Sequence, residues 1–115
     1  MSKAERHRRD QAKARAAFAV LVEHYPQLFN LDSVRPLAIG IDKELHAERI
    51  AGRLPLIYIP LRLALGWWTG RLAYLSALAA GDWRHDLSGQ PVERVSDEQR
   101  AMAAARPERI HRTRQ

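Results

Sequence analysis

The stretch RPLAIGIDKEL (residues 35–45) contains the change of pattern from which we assign the fold. Its apolar run, residues 37–41, predicts a short strand or extended segment. Asp42 follows directly and predicts the N-cap of a helix, with Glu44 in the first turn, where a carboxylate suits the helix dipole. Gly52 predicts the end of that helix. We expect Gly40 to permit close packing where the strand turns into the helix.

Upstream of this stretch, residues 10–24 have the spacing of an amphipathic helix. Apolar side chains recur every three or four positions, at Ala14, Ala17, Phe18, Leu21 and Val22. Tyr25 precedes Pro26, and a residue before proline is pushed out of the helical region, so the helix is expected to end there.

Downstream, two helices are expected between Pro55 and Gly81. Pro60 suits the first turn of the first helix, because proline lacks an N–H that would find no partner there. Thr69 is expected to begin the second helix, which ends at Gly81. That helix should turn three leucines toward the core: Leu72, Leu75 and Leu78.

The last third of the chain predicts a β-hairpin followed by a helix. Strands at Trp83–Leu87 and Val92–Val95 flank the turn-rich segment SGQP. Ser96 and Gln99 then form a capping-box pattern at the start of a final helix. The sequence as a whole predicts one domain of mixed α/β class, mostly helical, with a small β-hairpin.

The formal charge of +6 is concentrated at the two ends of the chain. Residues 1–15 carry six basic and two acidic side chains, and residues 106–115 carry four basic side chains and one acidic one. Residues 16–105 carry nine basic and ten acidic side chains, so this part is nearly neutral. We therefore divide the chain into a basic N-terminal arm (1–15), a neutral domain (16–105) and a basic C-terminal tail (106–115). This arrangement favours a polyanionic partner, nucleic acid or an anionic membrane surface, although charge alone also fits ends that only aid solubility.

Several classes of protein are not expected. The chain contains no cysteine, so it has no disulfide framework or thiolate metal site, as in a reducing cytosol. Its first ten residues are charged and lack the apolar segment of a secretory signal. The apolar stretch 54–80 includes two prolines, two glycines and two arginines, so we assign it to core helices rather than to a membrane span. We expect a cytoplasmic protein without a membrane partner.

No catalytic or metal-binding arrangement is evident in the sequence. His85 adjoins Asp86, but Ser88 lies in a turn and not in the strained context of a nucleophile. Asp82, His85 and Asp86 are poor metal ligands as a set, because strand alternation places the last two on opposite faces. We expect no enzymatic activity, no cofactor and no bound metal, and we expect His85 to be a surface or contact residue.

The helix expected to begin at Thr69 differs from its neighbours. Helices beginning at Asp42 and Ser96 carry acidic residues in their first turns, whereas this one has no acid before Asp82. It offers Thr69, a glycine and Arg71, and an acid-free helix N-terminus with such donors can bind an anion. A threonine that only caps its helix, beside a solvated Arg71, fits the spacing equally well.

Taken in order, these segments resemble the ProQ/FinO family of bacterial RNA chaperones. The resemblance covers about residues 16–105 and rests on HYPQLF, RPLAIGIDKEL, LRLAL, WTGRLAYLSAL, GDWRHDLSG and the helix after VERVSDEQ. It implies a single FinO/ProQ-like domain that binds structured RNA, typically the base of a terminator hairpin with its 3′ single-stranded tail. It also implies a role in small-RNA post-transcriptional regulation, by protecting RNA ends and promoting duplex formation.

The resemblance also implies roles for particular residues. Arg62 and Arg84 match phosphate contacts, and Tyr74 matches a residue that stacks or hydrogen-bonds near the RNA end. The helix start at Thr69 and the RPLAIGI segment add further residues to these three. The full set of expected RNA-binding residues is Arg35, Lys43, Arg62, Thr69, Arg71, Tyr74, Arg84 and His85.

Several positions depart from the common pattern of the family. Many members have basic residues where this chain has Ala38, Tyr58, Gly66, Ala73 and Ala79. Because each phosphate contact contributes to affinity and to salt dependence, these losses imply that part of the electrostatic attraction has moved to Arg71 and the basic ends. A weaker or differently selective hold on RNA is the alternative.

Two functions follow as hypotheses. The first is a monomeric, non-enzymatic RNA chaperone that recognises RNA shape and a 3′ end, since the deep major groove of RNA hides base edges. The second is a partner-docking or membrane-surface module, in which the basic ends bind acidic surfaces and the apolar region 56–80 is an interface. No recognition helix of the kinds that bind duplex DNA is apparent.

Overall fold

The computed structural model describes residues 1–106, which form five α-helices and a two-stranded antiparallel sheet. In chain order the elements are α1 (Lys3–His24), α2 (Ile41–Ile50), α3 (Tyr58–Thr69), α4 (Leu72–Ala79), β1 (Trp83–His85), β2 (Pro91–Arg94) and α5 (Asp97–Ala105). The predicted fold class, mostly helical with a small β-hairpin, is confirmed. Residues 107–115, which hold most of the predicted C-terminal tail, lie outside the described residues.

The core lies between α1 and α3 and is rich in aromatic rings. Phe18 of α1 stacks on Trp68 of α3 with ring centroids 4.6 Å apart, and Phe29 meets the two rings edge-on at 5.9 and 6.3 Å. Trp68 and Phe29 are fully buried. Because full burial of a side chain such as Phe29 contributes about 1.5–3 kcal/mol, this cluster fixes the position of α3.

Helix α1 begins at Lys3, seven residues before the start that its periodicity predicts. Ser2 and Glu5 form a capping box: the Glu5 N–H donates to the Ser2 hydroxyl, and the Ser2 N–H donates to the Glu5 carboxylate. Hydrogen bonding of the Glu5 carboxylate to the Ser2 side chain, and secondly to the Ser2 N–H, lowers the pKa of Glu5. Residues 3–10 are exposed, so they carry no apolar periodicity from which to detect a helix. The basic residues of the predicted arm therefore lie on an exposed helix.

The junction before α2 differs from the prediction. Residues 37–41 form no strand, and only Leu37 makes a bridge, parallel to His85. Helix α2 is capped by Gly40, and Asp42 lies in its first turn. Gly40 has a φ of 89°, yet among the described residues no heavy atom beyond its chain neighbours lies within 4 Å of the position that a Cβ would occupy. The glycine therefore supplies a left-handed backbone turn, and the prediction of close packing is wrong.

The break between α3 and α4 also lies elsewhere than predicted. Thr69 is the last residue of α3, and its hydroxyl donates to the carbonyl oxygen of Leu65 at 2.9 Å instead of capping the next helix. Helix α4 begins after Arg71, which makes no side-chain cap. Leu72 is 53% exposed, so its predicted inward position is wrong, whereas Leu75 is buried as predicted.

The β-hairpin is shorter than predicted. Trp83 pairs with Arg94, and the register shifts after Arg84. Asp86 ends the pairing, because its carboxylate accepts the Ser88 and Gln90 N–H groups at 2.9 and 3.0 Å and so favours a turn.

Helix α5 begins with the capping box that the sequence predicts. The Ser96 hydroxyl accepts from the Gln99 N–H, and the Gln99 side chain accepts from the Ser96 N–H. α5 packs against α4, while α3 packs against α1, α2 and α4. In residues 1–106 no helix combines the length and the apolar character needed to cross a membrane.

Candidate nucleic-acid interface

A groove of about 560 Å³ lies between α2, the junction that precedes it and α3, with Tyr74 of α4 and Arg84 of β1 also in its lining. Four of the eight predicted RNA-binding residues line this groove: Arg62, Thr69, Tyr74 and Arg84. They come from three different elements, so the fold brings them together from separate parts of the sequence.

Helix α3 contributes one continuous face to the groove. Its lining residues recur every three or four positions, which places them on one side of a helix: Tyr58, Arg62, Leu65, Gly66 and Thr69. The opposite side buries Leu61, Ala64 and Trp68 in the core. Arg62 is exposed, and its side chain makes no hydrogen bond or ion pair with any described residue. Its guanidinium is therefore available to a phosphate.

Tyr74 is held by the junction before α2. Its side chain is buried, and its hydroxyl accepts a hydrogen bond from the Leu37 N–H at 3.0 Å. Burial raises the pKa of the Tyr74 phenol, and the Leu37 hydrogen bond and the nearby charge of Arg84 offset only part of that effect. The phenol is therefore neutral near pH 7, and its own O–H remains a donor on the wall of the groove.

Arg84 is held by two hydrogen bonds. Its Nη1 donates to the Leu37 carbonyl oxygen at 2.8 Å, and its Nη2 donates to the Gln99 side chain at 3.1 Å. Its Nε is buried and has no partner among the described residues. A guanidinium has five N–H donors, so each terminal nitrogen of Arg84 keeps one for a ligand.

Arg71 and Arg35 lie outside the lining of the groove. The Arg71 guanidinium covers the Trp67 ring, with Cζ 4.5 Å from the ring centroid. Arg35 lines a separate polar cavity of about 340 Å³, and its Nη1 is 3.5 Å from the Gly89 carbonyl oxygen. The structure thus separates Arg71 from Thr69: the Arg71 guanidinium covers an aromatic ring, whereas Thr69 ends α3 and lines the groove.

His85 and Lys43 also lie outside the lining. His85 acts through its main chain, because its N–H donates to the Pro36 carbonyl at 2.9 Å and its carbonyl accepts from the Ala38 N–H at 2.8 Å. These bonds join β1 to the junction before α2. The His85 Nδ1 is buried without a partner among the described residues, and Lys43 is exposed on α2.

The groove also contains residues that sequence reasoning missed. Asp42 and His46 line it from α2, and the His46 ring stacks on Tyr58 with centroids 4.9 Å apart. The only available signal was spacing: Asp42 and His46 are four residues apart, as are Tyr58 and Arg62, so each pair shares a helix face. The spacing does not reveal that the two faces meet.

The described residues offer no metal site. In residues 1–106, no three side chains of histidine, cysteine, aspartate or glutamate are grouped so that they could hold a metal ion. The groove instead offers guanidinium groups, a phenol and aromatic rings, which are suited to phosphates and nucleobases.

A sequence model of the ProQ/FINO family matches residues 11–115. The chain belongs to this family. It is 40% identical over 88 residues to the fertility inhibition protein of Escherichia coli and 41% identical over 81 residues to RNA chaperone ProQ of Aeromonas salmonicida. The matches cover 76% and 70% of this chain but 47% and 38% of those proteins, so the chain spans half or less of the length of these relatives.

Two solved structures of the family share the fold. A FinO-like RNA chaperone from Neisseria meningitidis has a TM-score of 0.63 at 26% identity, covering 91% of this chain and 83% of that one. A ProQ homolog from Legionella pneumophila has a TM-score of 0.62 at 32% identity, covering 80% and 77%. The predicted FinO/ProQ-like domain is confirmed.

Within this ProQ/FINO domain, the substitutions that remove positive charge divide into two groups. Ala38, Tyr58 and Gly66 line the groove, whereas Ala73 and Ala79 do not. The arginines in the lining are therefore limited to Arg62 and Arg84, and Asp42 opposes them. Three of the five positions at which the resemblance implies a lost basic residue therefore lie in the groove.

Proposed function

We propose that the chain binds structured RNA in the groove, with the base of a terminator hairpin and its 3′ single-stranded tail as the preferred target. The observation that supports this proposal is the convergence of Arg62, Thr69, Tyr74 and Arg84 on one groove. The chain would act as a non-enzymatic RNA chaperone in small-RNA regulation. The relative from Aeromonas salmonicida and the solved structure from Neisseria meningitidis are both named RNA chaperones.

In the proposed complex, Arg62 and the remaining donors of Arg84 bind phosphates. The Tyr74 O–H donates to the terminal nucleotide. The first turn of α4 contains no acid and no side-chain cap, so its terminal N–H groups are donors for an RNA oxygen beside Tyr74. These contacts recognise the backbone and the end of the RNA and not its base sequence.

The test compares two RNA hairpins that differ only at the end of an oligouridine tail, one with a free 3′ hydroxyl and one with a 3′ phosphate. We expect the free hydroxyl to bind more tightly, because an added 3′ phosphate would separate the terminal ribose oxygen from the Tyr74 O–H. Anionic vesicles at the same salt concentration serve as the control for a membrane-surface module. Equal binding of both hairpins, or preferential binding of vesicles, would contradict the proposal.

A further inference from the structure

Tyr58 is an exposed aromatic residue that is held in place by two other side chains. It lies in the first turn of α3, lines the groove and is 48% exposed. The His46 ring stacks on it with centroids 4.9 Å apart and planes inclined by 29°. Arg49 donates from Nε to His46 Nδ1 at 2.8 Å, and its Cζ is 5.3 Å from the centroid of the Tyr58 ring.

The geometry leaves one face of Tyr58 open. His46 and Arg49 are hydrogen-bonded to each other and both lie about 5 Å from the ring centre, so they must be on the same side of the ring. The exposed surface of Tyr58 then belongs to its edge and its other face. We call Tyr58 with its two supporting side chains the aromatic platform.

We propose that the aromatic platform stacks one unpaired nucleobase of the bound RNA. This inference rests on the proposed RNA-binding function and adds a base-stacking subsite to it. A backed ring with one open face is preorganised for stacking, since little side-chain freedom remains to be lost on binding. A nucleobase suits it because every base has a π-face.

The groups beside the platform suit a base that has its own phosphate close by. Arg62 lies one turn along α3 from Tyr58, so a phosphate bound by Arg62 brings the adjoining base toward the platform. Asp42 lies one turn along α2 from His46 and also lines the groove. Its carboxylate repels a phosphate but can accept a hydrogen bond from a base N–H, such as the imino N–H of uracil.

The platform and a phosphate contact respond differently to salt. A phosphate contact weakens as salt rises, whereas stacking of a neutral base releases no counterions. Tyr58 would therefore supply a contact that does not depend on salt, whereas Arg62 would supply one that does. This difference separates the platform from Arg62 in a binding experiment.

The experiment measures binding of the full chain to a terminator hairpin with a 3′ oligouridine tail at several salt concentrations. Tyr58→Leu should weaken binding by roughly 5- to 150-fold, the range for one base on an aromatic ring, with an unchanged slope of log affinity against log salt. Tyr58→Phe keeps the ring, and the Tyr58 hydroxyl makes no hydrogen bond within the described residues, so this variant should bind like the parent chain. Circular dichroism verifies that each variant is folded.

A scan of abasic nucleotides through the RNA tail and its junction with the stem locates the stacked base. One abasic position should weaken binding to the parent chain and have no effect on Tyr58→Leu. The inference would be overturned if Tyr58→Leu bound the RNA as tightly as the parent chain does. It would also be overturned if every abasic RNA lost the same affinity for the parent chain as for Tyr58→Leu. If Arg62→Ala weakens binding while Tyr58→Leu does not, only the platform fails; if the parent chain does not bind the hairpin, the proposed function fails with it.

Discussion

Leu37 has both of its main-chain polar groups bound by side chains of the groove. Its N–H donates to the Tyr74 hydroxyl, and its carbonyl accepts from Arg84. Leu37 is buried, so water cannot replace these partners. Two residues that the family resemblance assigns to RNA binding therefore also hold the wall of the groove in place. Their substitution changes stability as well as binding, and the two effects must be measured separately.

Tyr74→Phe should lower the free energy of unfolding by about 1–3 kcal/mol, because it leaves the buried Leu37 N–H without an acceptor. Urea denaturation measures the change. Tyr58→Phe is the matched control: it removes a hydroxyl that makes no hydrogen bond within the described residues, so stability should change by less than about 0.5 kcal/mol. Equal stabilities for the two variants would show that the Tyr74 hydrogen bond contributes nothing.

Arg62→Ala should weaken binding to the RNA hairpin without a loss of stability, because the Arg62 side chain is exposed and makes no polar contact with the described residues. The slope of log affinity against log salt should fall by about 0.7–0.9 for the lost phosphate contact. Fluorescence anisotropy at several salt concentrations measures both quantities.

Arg94→Ala removes the same charge from outside the groove, where Arg94 lies over the Trp83 ring with Cζ 5.1 Å from its centroid, and it should bind more tightly than Arg62→Ala. Equal losses in the two variants would indicate that the groove is not the binding site. Arg84→Ala is a less specific test, since it also removes the hydrogen bonds to Leu37 and Gln99.

At the scale of elements, the start of α2 and the start of α4 shape the groove. Gly40 turns the chain into α2 with a positive φ, which directs the first turn and Asp42 toward α3. The separation of α3 from α4 after Thr69 allows α4 to direct Tyr74 back toward the junction. Both features are changes of chain direction. The sequence predicts the two helix starts at Asp42 and Thr69, within one to three residues of their positions in the structure.

Gly40→Ala should lower the free energy of unfolding by about 1 kcal/mol, since an L residue is strained in the left-handed region although it loses less entropy on folding. Gly52→Ala is the matched control, because Gly52 has a φ of 80° and similarly open surroundings but does not line the groove. Thermal unfolding should show similar losses for both variants.

Only Gly40→Ala places a methyl group at the groove. When binding is measured under conditions in which both variants are fully folded, only this variant should therefore weaken RNA binding. A much larger loss of stability in Gly40→Ala than in Gly52→Ala would point to close packing at Gly40, against the open surroundings of its Cβ position.

At the scale of the whole molecule, positive charge lies mainly outside the groove. Residues 3–15 of α1 carry six basic side chains, all of them exposed. The lining of the groove contains Arg62 and Arg84 together with the acidic Asp42. Under the proposed function, long-range attraction to RNA would depend on α1, and the choice of RNA end would depend on the groove. These two contributions are separable by substitution.

Replacement of Arg6, Arg9 and Lys13 by glutamine should flatten the salt dependence of RNA binding, because these residues share one face of α1 and would release counterions together. Glutamine has a helix propensity close to that of lysine and arginine, and the Ser2–Glu5 capping box is retained. Binding titrations at several salt concentrations test this, with circular dichroism as the control for helix content. The preference for a free 3′ hydroxyl should persist; its loss, or an unchanged salt slope, would contradict the division of roles.

Features that depend on near neighbours follow from the amino-acid sequence alone. The capping box of Ser96 and Gln99 and the position of Pro60 in a first helical turn involve residues within about one helical turn of each other, so local chemistry specifies them. The capping box at Ser2 and Glu5 was equally local and could have been read from the sequence. The family resemblance, which preserves the order of segments, selected Arg62, Tyr74 and Arg84 from the many polar residues of the chain.

Which distant groups meet depends on the three-dimensional packing of the helices. The Thr69 hydroxyl can bond the preceding Leu65 carbonyl or cap a following helix, and the packing of α3 decides between these local alternatives. The contacts of Leu37 with Tyr74 and Arg84, and of His46 with Tyr58, join residues far apart in the chain. They arise because burial of the α1–α3 core fixes the helices relative to one another, and no pattern within a single segment carries that information.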